Sequence, residues 1–357
     1  MTAARSFSSF ESPLVMVLSE PRLHQFIDDL ARRKEELESR PGKQQTLTFS
    51  RSYLEQVRQA FRTQILKGEN NLHQLAHLLS SCFFYNEFEL HSNVIGVLPG
   101  GERPFMIRER ILRQDLLSLT DLDLGNQMIG NFRYQHQGEW KSLVLSANFV
   151  EYIPSGKTLF NINRITSRVK AEEEIWNKVT DELFHIDQLI RRDKQLRQYS
   201  KYVKDVFGVK VVCESDRDCK VVQEVLEQDG LTQISWLSRV RHQGRKVSPV
   251  KFIETKDYLF CPPEAMKKTG WKAIKSVVKW NDHLFEIQFQ PLSNYYLELD
   301  HMAEPSHRSF KLNRDQMREE LSRHLPFYGF FRDLLRMVFM EKVMEFDHPV
   351  ARVILTD

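Results

Sequence analysis

Three cations and two carboxylates in the central part of the chain have the residue types needed for phosphoryl transfer. The cations are Arg168, Lys170 and Lys178, and the carboxylates are Asp205 and Glu286. Cations neutralise a triphosphate, while carboxylates hold Mg²⁺ and orient a hydroxyl group. The alternative is a set of unrelated surface ion pairs, each contributing only about 0–1 kcal/mol. Any one of these residues alone is weak evidence, so the prediction depends on their order along the chain.

Helices and strands must position these groups. Lys170, Glu174 and Lys178 are spaced four apart, which places them on one face of a helix within the charged stretch 171–200. Asp205 begins a valine-rich strand, and Glu286 lies near the end of another. Ser142 to Ile153 and Thr158 to Ile165 flank a Pro-Ser-Gly turn and predict a hairpin.

Further strands are expected at 250–253, 271–279 and 284–289, with a short helix at 221–226. The first part of the chain is instead helical in pattern. One helix is expected to begin after Ser19, a second to run from Ser50 to a stop at Gly68, and a third to begin near Asn71. The tail from Asn313 to Phe346 is also predicted to be helical, with breaks at Pro326 and Gly329.

The order of the chemical residues resembles the RelA/SpoT family of (p)ppGpp synthetases, including its small alarmone synthetases and toxin-like relatives. That family's pattern is Arg-x-Lys-x-x-x-Ser-Ile-x-x-Lys, then Asp-Leu-x-Gly-Ile-Arg-Val, Asp-Tyr-Ile, Pro-Lys-x-x-Gly-Tyr-x-Ser-x-His, Glu-Ile-Gln-Ile-Arg-Thr and Ala-Glu. The matching positions of this chain are Arg168, Lys170, Ile175, Lys178, Asp205, Gly208, Asp257, Tyr258, Lys267, Gly270, Glu286, Gln288, Ala303 and Glu304. The match covers about residues 160–311.

The resemblance implies an α+β fold, with a nucleotidyltransferase-like mixed sheet flanked by helices. It also implies a synthetase domain at 141–311, between a mainly helical N-terminal module at 1–140 and a helical C-terminal tail at 312–357. The chain has no His-Asp dipeptide, the metal-binding pair of the hydrolase domain in longer members. His73 and His77 are four apart on a helix and could share a metal, but a half-buried or solvated pair is the preferred interpretation.

The implied reaction is transfer of the β,γ-pyrophosphate of ATP to the 3′-hydroxyl of GDP or GTP, with release of AMP. By resemblance, ATP would be bound by four cations: Arg168, Lys170, Lys178 and Arg217. Asp205 and Glu286 would be catalytic and would hold Mg²⁺, and Glu286 would also accept or orient the proton of the attacking hydroxyl.

The acceptor nucleotide would contact four side chains: Lys267, Trp271, Lys275 and Gln288. Trp271 replaces a family tyrosine that stacks on the acceptor base, which an indole can also do. Departures from the pattern lie on the acceptor side and put guanosine specificity in doubt: Glu174 for Ser, Lys210 for Arg, Trp271 for Tyr, Lys275 for His and Gln290 for Arg.

Composition limits the classes of protein. The net charge is +3, with 41% hydrophobic and 28% charged residues, which is typical of a folded globular chain rather than a disordered one. The four cysteines are irregularly spaced, so we expect thiols in a reducing cytoplasm and no zinc site. No signal peptide or membrane-spanning stretch is expected.

Two other functions remain open. Toxin-like relatives modify the 3′ end of tRNA, and Lys272, Lys275 and the basic stretch 239–251 would suit such a polyanion. A non-catalytic nucleotide-binding regulator could keep the same fold, although intact Asp205 and Glu286 count against it. Homo-oligomer formation is left open by the sequence.

Overall fold

The structure is a computed structural model that describes residues 20–40, 44–85, 87–97, 104–118, 127–136, 138–142, 144–169, 172–184, 207–228, 250–262, 270–303 and 318–357. The helices are α1 (Pro21–Glu38), α2 (Arg51–Phe83), α3 (Arg113–Ser118), α4 (Glu172–Leu183), α5 (Asp216–Gln228), α6 (Leu292–Ala303) and α7 (Pro326–Phe339). The strands are β1 (Gln45–Ser50), β2 (Phe88–Val97), β3 (Pro104–Ile111), β4 (Arg133–His136), β5 (Glu139–Ser142), β6 (Val144–Pro154), β7 (Ile162–Val169), β8 (Phe207–Cys213), β9 (Lys251–Asp257), β10 (Ile274–Trp280), β11 (His283–Pro291), β12 (Phe346–Asp347) and β13 (Ala351–Thr356).

The chain divides into two compact units. Unit 1 comprises residues 1–67, 170–206 and 309–357, and unit 2 comprises residues 68–169 and 207–308. The domain bounds expected at residues 140 and 311 stay a prediction. The N-terminal part contains helices α1, α2 and α3 but also strands β1 to β4, and β2 and β3 belong to the large sheet of unit 2.

Within the described residues, unit 2 is built on an eight-stranded sheet of order β3-β2-β6-β7-β8-β11-β10-β9. The β8 and β11 strands pair in parallel, and the other neighbours are antiparallel. The sheet is therefore mixed and is accompanied by helices, which confirms the α+β class. The expected hairpin is also confirmed, as β6 and β7 are antiparallel neighbours.

The two faces of the sheet differ because successive side chains of a strand point to opposite sides. On one face, β8 and β11 bury an apolar set: Phe207, Val209, Val211, Phe285, Ile287 and Phe289. Helix α5 packs on these strands and buries Cys219, Val222 and Leu226. The alternate positions of the same strands carry polar residues, among them Lys210, Glu286 and Gln288. We call this second side the polar face.

Gly68 does not end a helix, contrary to expectation. Helix α2 runs without interruption from Arg51 to Phe83, and Ser50 accepts a hydrogen bond from the Tyr53 N–H at its start (3.2 Å). A Cβ atom at Gly68 would lie 2.1 Å from Cζ of Phe207. The glycine therefore permits close packing of a helix on a strand rather than a left-handed cap.

Unit 1 has an aromatic core. Phe339 stacks on Trp176 with ring centroids 3.5 Å apart, and Phe61 contacts both rings. Arg58 donates hydrogen bonds to the carbonyl oxygens of Val338 (2.7 Å) and Met337 (3.2 Å). These carbonyls belong to the last turn of α7, where helix acceptors otherwise lack partners.

The C-terminal tail is only partly helical, which corrects the prediction. Pro326 does begin a helix, but Gly329 lies inside this helix and is buried. A Cβ atom added at Gly329 would lie 3.0 Å from Cβ of Ser322. Beyond α7, β13 pairs in parallel with β1 and antiparallel with β12. Among the described residues, no helix is long and apolar enough to cross a membrane.

Candidate active site

Glu286 lies on the polar face, on β11, and both of its carboxylate oxygens are engaged. Oε2 forms an ion pair with Nζ of Lys275, and Oε1 accepts a hydrogen bond from Nε2 of Gln288 (2.5 Å). Lys275 on β10 is opposite Gln288 in the antiparallel register, so strand pairing itself brings these side chains together. The Lys275 and Glu286 side chains are 10% and 5% exposed, which makes this a buried ion pair.

Arg168 is aligned with Glu286 across the sheet. Arg168 on β7 is opposite Gly208 on β8, and Gly208 is opposite Glu286 on β11. Neighbouring strands are about 4.8 Å apart, so the two backbones are separated by about 10 Å. Gly208 has no side chain, and β8 therefore places none between the exposed Arg168 and Glu286.

A second carboxylate fixes helix α6 to the polar face. Glu298 forms an ion pair with Lys210 (2.7 Å) and accepts a hydrogen bond from Gln290 Nε2 (2.9 Å). Burial alone would raise the pKa of Glu298, but the positive charge and hydrogen bond of Lys210, with smaller effects of Gln290 and Arg168, lower it. Glu298 therefore remains ionised as a counter-ion.

Trp271 lies just before β10, in a segment that α6 also holds. Its ring packs edge-to-face against Tyr258, with centroids 5.9 Å apart at 61°. The backbone N–H of Lys272 donates to Oδ1 of Asn294 on α6 (3.1 Å), and Tyr258 N–H donates to the Ala273 carbonyl (3.0 Å). The indole is thus supported by two backbone anchors and remains half-buried.

The described structure does not bring the other predicted site residues together with Glu286. Arg217 is in the first turn of α5, after the last residue of β8, and so lies at the opposite end of that strand from Gly208. Lys178 is within α4, but its side chain is outside the described part, as are Lys170, Asp205 and Lys267. Their predicted roles stay predictions.

The magnesium site predicted at Asp205 and Glu286 stays a prediction, because Asp205 lies outside the described residues. Within those residues, no group of three or more His, Cys, Asp or Glu side chains could hold a metal. Glu286 is ion-paired, and His73 lies 3.7 Å from Glu69 and 3.5 Å from the Ser167 hydroxyl. His77 packs its ring on Phe88 (5.2 Å). Both histidines lie on helix α2, where His73 is buried rather than half-buried or solvated, and His77 is half-buried.

One polar cluster was missed by the sequence analysis. Buried Glu151 on β6 is bound by Arg164 (2.8 Å), Tyr295 Oη (2.7 Å) and Arg108 (3.3 Å). Burial alone would raise its pKa, but hydrogen bonding from Tyr295 and the charge of Arg164 lower it. Its members lie on β3, β6, β7 and α6, so no local spacing in the sequence indicates this cluster.

Comparison with known proteins gives a limited likeness. No protein-family model matches the chain, and no curated protein matches it in sequence. The crystal structure of the small alarmone synthetase 1 from Bacillus subtilis is similar over 49% of this chain and 82% of that chain. The identity is 18% and the TM-score 0.23, so this likeness does not by itself define an activity.

Proposed function

We propose that the chain is a nucleotide pyrophosphokinase that transfers the β,γ-pyrophosphate of ATP to the 3′-hydroxyl of a guanosine nucleotide. The acceptor hydroxyl oxygen forms a bond to the β-phosphorus and gives its proton to the Glu286 carboxylate, while the bond from that phosphorus to the bridging oxygen of AMP breaks and AMP leaves with the electron pair. The observation that carries the proposal is the alignment of Arg168, Gly208 and Glu286 on one sheet face, with Lys275 and Gln288 in contact with Glu286.

The described residues support a division of roles. Arg168 is exposed beside the site and supplies a planar guanidinium suited to phosphate oxygens. Glu286 accepts a hydrogen bond from the attacking hydroxyl and orients it, since the reaction needs no covalent nucleophile on the protein. Charge that builds on the phosphate oxygens is stabilised electrostatically by fixed cations.

The acceptor side is supported by Trp271. Its half-buried indole offers an aromatic surface for a purine base, and base stacking of this kind contributes about 1–3 kcal/mol. ATP, a guanosine nucleotide and Mg²⁺ are accordingly the proposed ligands. The roles of Lys170, Lys178, Asp205 and Lys267 are proposed from the sequence alone, because their side chains lie outside the described part.

The tRNA alternative is weakened by one contact. It relied in part on Lys275 as a cation for a polyanion, but the ammonium group of Lys275 is paired with buried Glu286. Incubation of the protein with labelled ATP, Mg²⁺ and either GDP, GTP or tRNA tests both acceptors. Label on GDP or GTP supports the proposal, whereas label on tRNA alone would assign the alternative.

A further inference from the structure

We propose that Lys275 is a built-in cation that occupies Oε2 of Glu286, so that Glu286 is not a ligand of a divalent ion in the resting protein. The role of the Lys275–Glu286 pair in catalysis rests on the proposed function. The occupancy of Glu286 is nevertheless a property of the protein alone, and it is measurable without turnover.

The geometry leaves little room for a metal at this carboxylate. Nζ of Lys275 contacts Oε2, Nε2 of Gln288 contacts Oε1 at 2.5 Å, and the Glu286 side chain is only 5% exposed. A carboxylate that binds a divalent ion needs at least one oxygen directed at it, at about 2.0–2.6 Å. An ammonium group at that oxygen excludes the ion both by volume and by repulsion of like charges.

The pair is also held in place by the sheet. Lys275 and Glu286 are on adjacent antiparallel strands, where the residue opposite Lys275 is Gln288 and the residue opposite Glu286 is Val277. Withdrawal of the lysine would leave a buried charge without compensation, which is strongly unfavourable. The ammonium group therefore remains at the carboxylate in the resting protein.

Manganese binding to the full chain tests the inference directly. Free Mn²⁺ is measured by electron paramagnetic resonance, without nucleotide, for the unaltered protein and for Glu286→Gln, Lys275→Met and the double variant. We expect Glu286→Gln to bind Mn²⁺ as the unaltered protein does. Lys275→Met frees Oε2 and should bind additional Mn²⁺ relative to the unaltered protein, and this gain should vanish in the double variant.

The controls keep the result interpretable. Lys279→Met removes an exposed lysine of the same strand, paired with Asp282, and should leave Mn²⁺ binding unchanged. Loss of Mn²⁺ binding in Glu286→Gln would overturn the inference, even if Lys275→Met does not fold. A folded Lys275→Met without the additional ion would overturn it as well. Absence of pyrophosphate transfer with the expected Mn²⁺ pattern would remove only the proposed function.

Discussion

Glu286 is the residue at which the proposed chemistry can be tested with least disturbance, because Glu286→Gln keeps the size of the side chain and removes its charge. We expect pyrophosphate transfer to fall by about 10²–10⁴-fold, the usual contribution of a positioned proton acceptor. Initial rates of AMP formation measure it. Glu254→Gln on β9, which is exposed and paired with Lys256, is the matched control and should keep its rate. Equal rates for both variants would contradict the assigned role.

Trp271 gives a prediction about substrate binding. Trp271→Ala removes the stacking surface and should raise the KM for the guanosine nucleotide by about 10–100-fold, since stacking contributes about 1–3 kcal/mol. Trp271→Tyr keeps an aromatic face and should remain close to the unaltered protein. Trp140→Ala, at an exposed tryptophan of β5, is the control. An unchanged KM in Trp271→Ala would show that the acceptor base binds elsewhere.

At the scale of elements, the attachment of α2 to β8 depends on a glycine. Gly68→Ala would place its Cβ 2.1 Å from the Phe207 ring, and the resulting overpacking should lower stability by about 1–3 kcal/mol. Thermal unfolding measures the effect. Gly130→Ala, where a Cβ meets nothing within 4 Å, should change stability by less than about 0.5 kcal/mol. Equal melting temperatures for the two variants would contradict this packing.

The attachment of α6 should depend on pH. The pKa values of Glu151 and Glu298 are lowered in the folded protein below the ordinary value of 4.5. The unfolded state therefore takes up protons first, so their stabilisation is present above about pH 4.5 and is lost as pH falls through the lower folded values. Urea midpoints measured between pH 6 and 3 should fall.

Glu298→Gln should reduce this loss, because one of the two carboxylates that must be protonated is gone. Glu224→Gln, on the exposed side of α5, should retain the full pH dependence. If Glu298→Gln and the unaltered protein lose stability in parallel, the carboxylate does not anchor α6 as the structure indicates.

The local sequence pattern predicted several strands of the sheet, but it could not predict contacts between residues far apart in the chain. The valine-rich stretch 205–213 and the stretch 284–289 predicted β8 and β11. The Lys275–Glu286 pair could not be foreseen, because it depends on the register of two strands. Gly68 was misinterpreted because its packing partner, Phe207, is far away in the chain.

At the scale of the whole molecule, unit 1 combines segments from both ends of the chain. Central strand β13 pairs with β1 over Gln45–Ser50, a contact between residues about 300 positions apart that no local pattern reveals. Deletion of residues 346–357 should remove the partner of β1. Hydrogen exchange should then show lost protection at 45–50, while β11 in unit 2 keeps its protection. Deletion of Asp357 alone is the control, and preserved protection at 45–50 would contradict the pairing.

The activity itself is tested most directly by product analysis. The unaltered protein and Glu286→Gln are incubated with ATP, Mg²⁺ and a panel of GDP, GTP, other nucleotides and tRNA, and the products are separated by chromatography. We predict AMP and a 3′-pyrophosphorylated guanosine nucleotide in equal amounts from the unaltered protein, and both reduced by about 10²–10⁴-fold in Glu286→Gln. Absence of AMP and of pyrophosphate transfer to every acceptor would contradict the account.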